Sequence, residues 1–587
     1  MVLLEAFVQP LDPVGGSLVL SALVAAIPLV ALFVMLGVFK VPAWIASLVT
    51  IILTVVIAIA GWGMPVGTAL SATGEGVFFG ACQIMWILIA AVWMYNLSVK
   101  RGWDLVLRDL LSGITNDLRV LSILIAFCFG ALLEALAGFG TPVAITAAML
   151  VAAGMKPLKS AVVCLLANTA PVAFGAMGAP ITSLAASAAP TFGGGGFDAT
   201  VLAETFGAMA GRQSPFVALI VPLFLVFLVD GRRGLRDTWH IALVAGFIFG
   251  LTKFIAANFI GYQITDVLAA IVCILAILAM LRFIQPKNPV LAERSAHDGE
   301  DFAALHSTGA ARVWGAVAPY VIVTVLFSIS QIPALKTWLS TTVTKVFAWP
   351  GLQEGLFPKD ASGAAMAQSV DFCGVVTASQ AEAGAVTSCS IGQVDLYSVL
   401  STGTILFLGG IITGVVYKMS VPLMARVFGS TVKALVYTII TIASVLAVAY
   451  LMNGSGMTVS LGSALAQAGS AFALISPVLG WLGVAITGSD TSANALFGGM
   501  QVAAAQSVWP GDIAHQVLMA TTNSTGGCMG KMISPQSLCV AAAAVGMVNR
   551  EGDIFRKAVG WSLLLLAIFA ILVLLQSTVL MWMVPTP

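Results

Sequence analysis

"ITGSDTSANALFGG", residues 486–499, places the carboxylate of Asp490 among hydroxyl and amide side chains, directly after an apolar run. The whole chain of 587 residues is 59% hydrophobic and only 9% charged, whereas a soluble domain carries about 25% charged residues. Its apolar runs repeatedly approach the roughly 20 residues that cross a bilayer as a helix. The composition therefore predicts an all-α polytopic membrane protein, in which a buried Asp490 requires a physical reason.

The charge and the cysteines exclude several classes of protein. Lys and Arg number 26 against 25 Asp and Glu, and the absence of a basic stripe excludes nucleic-acid binding. The eight cysteines show neither a CxxC motif nor Cys/His metal spacing, so no metal or cofactor is expected. Cys373 and Cys389 share a long polar loop, and a disulfide between them remains open. The N-terminus lacks the basic flank of a secretory signal, so residues 17–36 are predicted to be a retained first helix.

The apolar runs predict about twelve full membrane spans. They lie near residues 17–36, 41–61, 82–98, 119–137, 214–229, 239–259, 266–284, 313–332, 397–417, 433–452, 471–487 and 559–583. Four shorter apolar pieces are too short or too broken by Gly, Pro and polar residues to be ordinary spans. These pieces are 143–154, 158–173, 494–506 and 534–548. They form one pair in each half of the chain.

The basic residues predict the orientation, because Lys and Arg concentrate in short cytoplasmic loops. The basic segments are 100–119, 232–236, 282–312, 418–433 and 550–557. Placing all of them inside puts both chain termini and the 333–396 loop in the periplasm. The span 119–137 then runs outward, whereas the span 471–487 runs inward.

The sequences that follow these two oppositely directed spans resemble each other. Residues 137–180 and 487–535 each begin with a Gly-containing break and continue as a small-residue helix. Each then reaches an Asn beside a hydroxyl residue, a Gly-rich run with a Met-Gly pair, and a proline. Similar segments in opposite orientation predict an inverted repeat with a midplane binding site. Chance similarity between Ala/Gly-rich membrane helices is the alternative.

This organisation predicts six regions along the chain. They are N-terminal scaffold helices (1–118), a first repeat with broken helices (119–230), further scaffold helices (231–332), an extracytoplasmic loop region (333–396), linking helices (397–470), and a second repeat with the C-terminal helix (471–587).

The broken segments predict an anion site. A helix that starts at a break offers unpaired N–H groups and the positive end of its dipole, and irregular backbone at membrane depth must be buried or line a cavity. Hydroxyl, amide and ammonium groups at the breaks suit a small hydroxycarboxylate. The candidate substrate ligands are Thr141, Asn168, Thr169, Thr491, Ser492, Asn494, Asn523, Ser524 and Lys531. In the alternative interpretation the hydroxyls bond their own helices and Lys531 snorkels to the interface.

Two intramembrane acids are candidate proton carriers. Glu134 ends one apolar run and Asp490 follows another, and a charge at the bilayer centre costs about 2.5–3.5 kcal/mol on insertion scales. Each acid is therefore expected to be protonated, partnered or in contact with water. Interfacial placement, or helix capping by Asp490, is the alternative. Lys253 is predicted to snorkel, and Arg212 to precede the span 214–229.

Four long motifs carry a resemblance to a known family. They are "AFCFGALLEALAGFGTPVAITAAML" (126–150), "CLLANTAPVAFGAMGAPI" (164–181), "LGWLGVAITGSDTSANALFG" (479–498) and "GKMISPQSLCVAAAAVG" (530–546). With these motifs, nearly the whole chain resembles the bacterial L-lactate permease family. The resemblance implies an inner-membrane secondary transporter that takes up lactate, and often glycolate, with a proton. Glu134, Asn168, Thr169, Asp490, Asn523 and Lys531 match family motifs, without their roles being assigned by the match.

Residue chemistry and resemblance together predict a proton symporter that imports L-lactate, D-lactate or glycolate, with the proton as coupling ion and no cofactor. The expected partners are the small-molecule substrate and the bilayer, and the oligomeric state is left open. The alternatives are a sodium-coupled carrier of other carboxylates, a channel, and an intramembrane enzyme. Neither HExxH nor GxSxG occurs in the sequence, which disfavours the enzyme.

Overall fold

The computed structural model describes residues 7, 9–39, 41–103, 115–136, 138, 141–194, 197–286, 288–291, 310–330, 335, 338, 346–349, 393–547 and 550–587. Within these ranges the chain is helical, apart from one antiparallel pair of short strands, β1 (Val346–Ala348) and β2 (Gln393–Asp395). Cys373, Cys389 and most of the 333–396 region lie outside the described residues.

Nineteen helices are numbered in chain order. They are α1 (Leu18–Gly37), α2 (Ala43–Ala60), α3 (Val66–Phe78), α4 (Met85–Lys100), α5 (Leu118–Leu136), α6 (Thr141–Ala152), α7 (Pro157–Ala167), α8 (Gly175–Ala188), α9 (Ala199–Phe259), α10 (Thr265–Leu281), α11 (Ala310–Ser330), α12 (Leu396–Val416), α13 (Val421–Ser455), α14 (Met457–Leu465), α15 (Phe472–Thr487), α16 (Asp490–Val508), α17 (Ile513–Lys531), α18 (Pro535–Ala544) and α19 (Glu551–Gln576). A π-helical turn, Phe79–Ile84, joins α3 to α4.

The predicted all-α polytopic class is confirmed. In the part of the chain that the structure describes, nine helical runs are long and apolar enough to cross a membrane, and ten if the bent pair α7–α8 counts as one span. Each of the twelve predicted spans falls on a helix. Two of them lie in α9, which breaks at Asp230 and at Gly231, whose φ of 60° suits glycine. The number of full crossings stays a prediction.

Four segments depart from the expected pattern. Helices α3, α8 and α14 were not predicted, and α17 is one continuous helix where a Gly-rich run was expected. The reason is packing, since Cβ atoms on Gly480 and Gly530 would overlap the carbonyl oxygens of Asn523 and Trp481. Glycine therefore permits α15 and α17 to cross at close range, and α17 keeps its helical hydrogen bonds.

The two broken regions pack against each other in an exchanged manner. Helix α8, which follows the break after α7, packs on α16, and α18 packs on α6. In the same way α9 contacts α17, and α19 contacts α7. This exchange agrees with an inverted repeat, which stays a prediction, as do the orientation of each half in the membrane and the six-region division.

The two polar helices of the second broken region, α16 and α17, lie in the protein interior. Every residue of α16 from Asp490 to Ala505 is buried, as is every residue of α17 from His515 to Lys531. Because a helix that is buried on all sides faces protein rather than lipid, its polar side chains must bond within the protein. These two helices, α8 and the end of α5 enclose the candidate site.

Two expectations about basic residues are wrong. Lys253 does not snorkel, because its side chain is fully buried within α9. Arg212 does not precede a helix, because it lies within α9, which already begins at Ala199. Arg212 instead donates to the side chain of Asn258 and to the carbonyl of Met583.

Candidate functional site

The first acid lies where α5 ends. Glu134 is 2% exposed, and its Oε2 accepts a hydrogen bond of 3.0 Å from Nδ2 of Asn168. Asn168 is the residue at which α7 ends. A Cβ on Gly175 would lie 3.1 Å from Oε1 of Glu134. The start of α8 therefore closes over this carboxyl group because Gly175 has no side chain.

The backbone beside Glu134 is strained. Ala176 and Met177 have φ of 44° and 56°, followed by Gly178 at 79°. A non-glycine residue held in this left-handed region costs on the order of 1–3 kcal/mol and persists only where packing enforces it. Gly178 lies against the ring of Tyr262, whose hydroxyl bonds that of Thr182 at 3.1 Å. Such strain is concentrated at functional sites.

The second acid lies where α16 begins. Asp490 is 2% exposed, and its Oδ2 accepts a hydrogen bond of 2.7 Å from the hydroxyl of Ser524. The helix cap is Ser489, which accepts from the N–H of Ser492, so Asp490 is not needed as the cap. Its Oδ1 has no hydrogen-bond partner among the described residues.

The two acid contacts share one spacing. Glu134 and Asn168 are 34 residues apart, as are Asp490 and Ser524. In the folded protein Asn168 therefore corresponds to Ser524, one position later than the Asn168–Asn523 match that the sequences suggest. Both acids lie close enough to interact electrostatically.

Asn494 and Asn523 belong to a buried amide ladder. Nδ2 of Asn523 donates to Oδ1 of Asn494 at 2.9 Å, and Nδ2 of Asn494 donates to the carbonyl of Pro180 at 3.0 Å. Gln501 donates to Oδ1 of Asn523 at 3.2 Å. These bonds join α8, α16 and α17, so both asparagines hold the site together as well as bordering it.

The predicted hydroxyl ligands differ in the hydrogen bonds that their hydroxyl groups already make. The hydroxyl of Thr169 donates to the carbonyl of Leu166 at 2.7 Å, within its own turn. Thr491 and Ser492 are buried in the first turn of α16 beside Asp490. Thr141 begins α6, but its side chain lies outside what the structure describes. Of the hydroxyl candidates, Ser524 makes the contact to an acid.

Two buried lysines lie near the candidate site, and the ion pair that one of them forms was not predicted from the sequence. Lys531 ends α17, is buried, and acts electrostatically on Asp490. Nζ of Lys253 lies 3.0 Å from Oδ1 of Asp266, and both side chains are fully buried. Lys253 lies late in one predicted span and Asp266 begins the next, so neither position by itself indicates an ion pair. Treating every intramembrane charge as a candidate functional residue would have found them.

Within the described residues, neither a metal-ligand cluster nor the cavity beside Phe216 provides another candidate site. The ranges that the structure describes hold no group of three or more His, Cys, Asp or Glu suited to a metal ion. A cavity of about 550 Å3 opens beside Phe216, Phe247 and Trp582, with Arg212 in its wall. Its lining is almost wholly apolar and includes none of the acids, so it does not provide the carboxylate site.

Comparison with known proteins agrees with the membrane architecture. The L-lactate permease family model matches residues 21–580. The L-lactate permease of Bacillus subtilis is 38% identical, over 98% of this chain and 99% of the relative. Glycolate permease GlcA of Escherichia coli is 39% identical over 97% of both chains, and the L-lactate permease of the same organism is 38% identical over 98% and 99%.

A solved structure, that of the YdaH transporter of Alcanivorax borkumensis, is 14% identical and covers 87% of this chain and 86% of its own, with a TM-score of 0.38. That score is too low to support an argument about the fold. The family match and the full-length relatives lead to one conclusion: the chain is a multi-pass membrane protein of the L-lactate permease family, and hence a transporter and not an enzyme.

Proposed function

We propose that this protein imports L-lactate and related small 2-hydroxymonocarboxylates, D-lactate and glycolate, by proton symport across a bacterial inner membrane. The relatives named as L-lactate and glycolate permeases support the substrate class. The observation that carries the mechanism is the pair of buried acids, Glu134 and Asp490, each bonded to a polar group 34 residues further on.

The site offers donors and acceptors that match a 2-hydroxy acid. Lys531 is a buried cation close to Asp490, so it favours an added negative charge in the site. Oδ1 of Asn168 is buried without a hydrogen-bond partner in the described structure, so it is available to accept from the substrate hydroxyl. Leaving such a group unpaired costs about 1–3 kcal/mol, which a hydroxy acid recovers and a plain carboxylate does not.

Asp490 is the better carrier for the proton. Its Oδ1 lacks a partner among the residues described, and burying an ionised carboxylate with unsatisfied acceptors is costly. A proton on that oxygen removes the charge at the moment when an anionic substrate adds one. One proton moving with one monoanion is electroneutral, so a pH gradient alone drives uptake.

The proposal includes the orientation of the chain in the membrane and its division into regions, as the sequence predicts them. Both termini face the periplasm, and regions 119–230 and 471–587 carry the site. The helices of 1–118 and 231–332 form the scaffold, and those of 397–470 link the two halves. The exchanged packing of α8 on α16 and of α18 on α6 supports this assignment.

Purified protein in liposomes tests the proposal. We expect labelled L-lactate to accumulate when the outside medium is acidified, and unlabelled glycolate to compete with it. Liposomes without protein are the control. Equal uptake with an inward sodium gradient and no proton gradient would contradict the coupling, and a lack of uptake under either gradient would contradict the substrate class.

A further inference from the structure

Lys253 makes several polar and aromatic contacts inside the protein. Its Nζ donates to the carbonyl of Ala170 at 2.7 Å and lies 3.0 Å from Oδ1 of Asp266. The ring centroids of Phe174 and Phe249 lie 4.9 and 5.5 Å from the same atom. An ammonium group over an aromatic face is attracted by the ring, so both rings add to the contacts that hold the Lys253 side chain.

Asp266 is only partly satisfied by this pair. It lies in the first turn of α10 and is buried, but neither carboxylate oxygen receives a hydrogen bond of good geometry within the described residues. The ion pair is therefore close in distance but imperfect in geometry. A buried pair offsets its desolvation cost only with excellent geometry and additional hydrogen bonds, so this pair leaves Lys253 open to a competing carboxylate.

The pair is attached to the candidate site. Ala170 lies in the break between α7 and α8, two residues after Asn168, which bonds Glu134. The charged and titratable groups that act on Asp266 are Lys253 of α9, Glu134 of α5 and Cys528 of α17. A change at Lys253 is therefore expected to affect both the strained backbone beside Glu134 and the electrostatic environment of the acids.

We propose that Lys253 binds the carboxylate of the transported substrate, and that Asp266 is the internal carboxylate which the substrate displaces from it. This inference rests on the proposed function. In the empty protein Asp266 neutralises Lys253. When the substrate takes its place, the freed negative charge acts on Glu134, which in turn acts on Asp490, and one proton taken up by these acids restores the charge balance. Displacement thereby makes proton uptake a condition of substrate binding.

The proposal separates two variants that would behave alike if the pair were only structural. Asp266→Asn removes the competitor and keeps Lys253. We expect it to bind L-lactate about tenfold or more tightly at alkaline pH, to lose most of the pH dependence of binding, and to exchange lactate without accumulating it. Weaker binding at every pH, or wild-type accumulation, would overturn the proposal.

The double variant Lys253→Met/Asp266→Leu tests the same idea without leaving a lone buried charge. Replacing a buried ion pair by apolar residues of similar size is often neutral for stability, so this variant is expected to fold, as checked by thermal unfolding of the purified protein. We expect lactate binding and exchange to be lost. Normal transport by the double variant would show a structural pair and overturn the proposal.

Lys433→Met is the matched control, because Lys433 is exposed on α13, and its transport should equal that of the wild type. If the wild type transports lactate while the two site variants behave as it does, the proposed function stands and this inference fails. If the wild type transports neither lactate nor glycolate, both fail.

Discussion

The two acid sites have the same spacing but different surroundings. Glu134 ends a helix and is bonded by an amide at a break, whereas Asp490 begins a helix and is bonded by a hydroxyl from the middle of α17. In the first site the backbone is unwound and partly left-handed, and Lys253 is attached to it. In the second site the backbone within α16 and α17 is regular, and the amide side chains of these helices bond one another.

The two Met-Gly pairs show how similar sequences have different structural roles in the two sites. Met177-Gly178 forms part of a left-handed turn, whereas Met529-Gly530 lies inside α17, with Gly530 against the backbone of Trp481. Similar sequences thus provide backbone freedom in one half and close helix packing in the other. We therefore expect the first half to change conformation during transport, while the second half stays packed.

The largest effect is expected at the acids. Asp490→Asn should abolish proton-driven accumulation of lactate while exchange of lactate across the membrane persists, because the amide cannot carry the proton but can still accept from Ser524. Uptake and counterflow in the same liposomes measure both. Glu134→Gln is the matched variant in the first half. Accumulation by Asp490→Asn at the wild-type level would remove Asp490 from coupling, and loss of exchange as well would assign it to binding or structure.

The packing of the second half is tested by a glycine. Gly480→Ala should lower the free energy of unfolding by about 1–3 kcal/mol or more, because its Cβ would overlap the carbonyl of Asn523. Thermal unfolding measures this change. The control is Gly560→Ala on α19, where no atom lies within 4 Å of the added Cβ, and helix propensity favours alanine. Equal stability of the two variants would show that the α15–α17 crossing is not tight.

Two hydroxyl substitutions compare a bond to an acid with a bond within a turn. Ser524→Ala removes the donor to Asp490 and should weaken lactate binding by about 1–3 kcal/mol. Asn523→Ala should have an effect of similar size, since it removes the donor to Oδ1 of Asn494 and one of the two acceptors of Gln501. Thr169→Ala loses only a bond to Leu166 and should cost less. Binding isotherms at one pH would decide, and a larger effect at Thr169 would make it a direct ligand.

The smallest effect is expected at the strained turn. Ala176→Gly should raise the free energy of unfolding by about 1 kcal/mol, because glycine adopts the left-handed conformation without the cost paid by alanine. Ala185→Gly, in the regular part of α8, should lower it by about as much. Thermal unfolding of both variants measures the difference. Destabilisation by Ala176→Gly would show that the turn is not strained.

Much of the fold could be predicted, because apolar length and polar breaks are local properties of the chain. The twelve predicted spans fall on helices, and the burial of Glu134 and Asp490 follows from the cost of exposing charge to lipid. The continuous α17 was missed because the same glycines that suggest a break also permit a close helix crossing, and only the neighbouring helix decides between the two.

The sequence by itself determined the membrane class, the two breaks and the family, since composition, hydropathy and long motifs need no knowledge of contacts. Only the tertiary structure decided which groups meet. In the structure Asp490 accepts a hydrogen bond from Ser524 and does not cap its helix. The hydroxyl of Thr169 donates to a backbone carbonyl of its own turn. Lys253 contacts both Asp266 and the carbonyl of Ala170. The physical reason is that a buried charge must find a partner within a few ångströms, and the partner's place along the chain depends on how the helices pack.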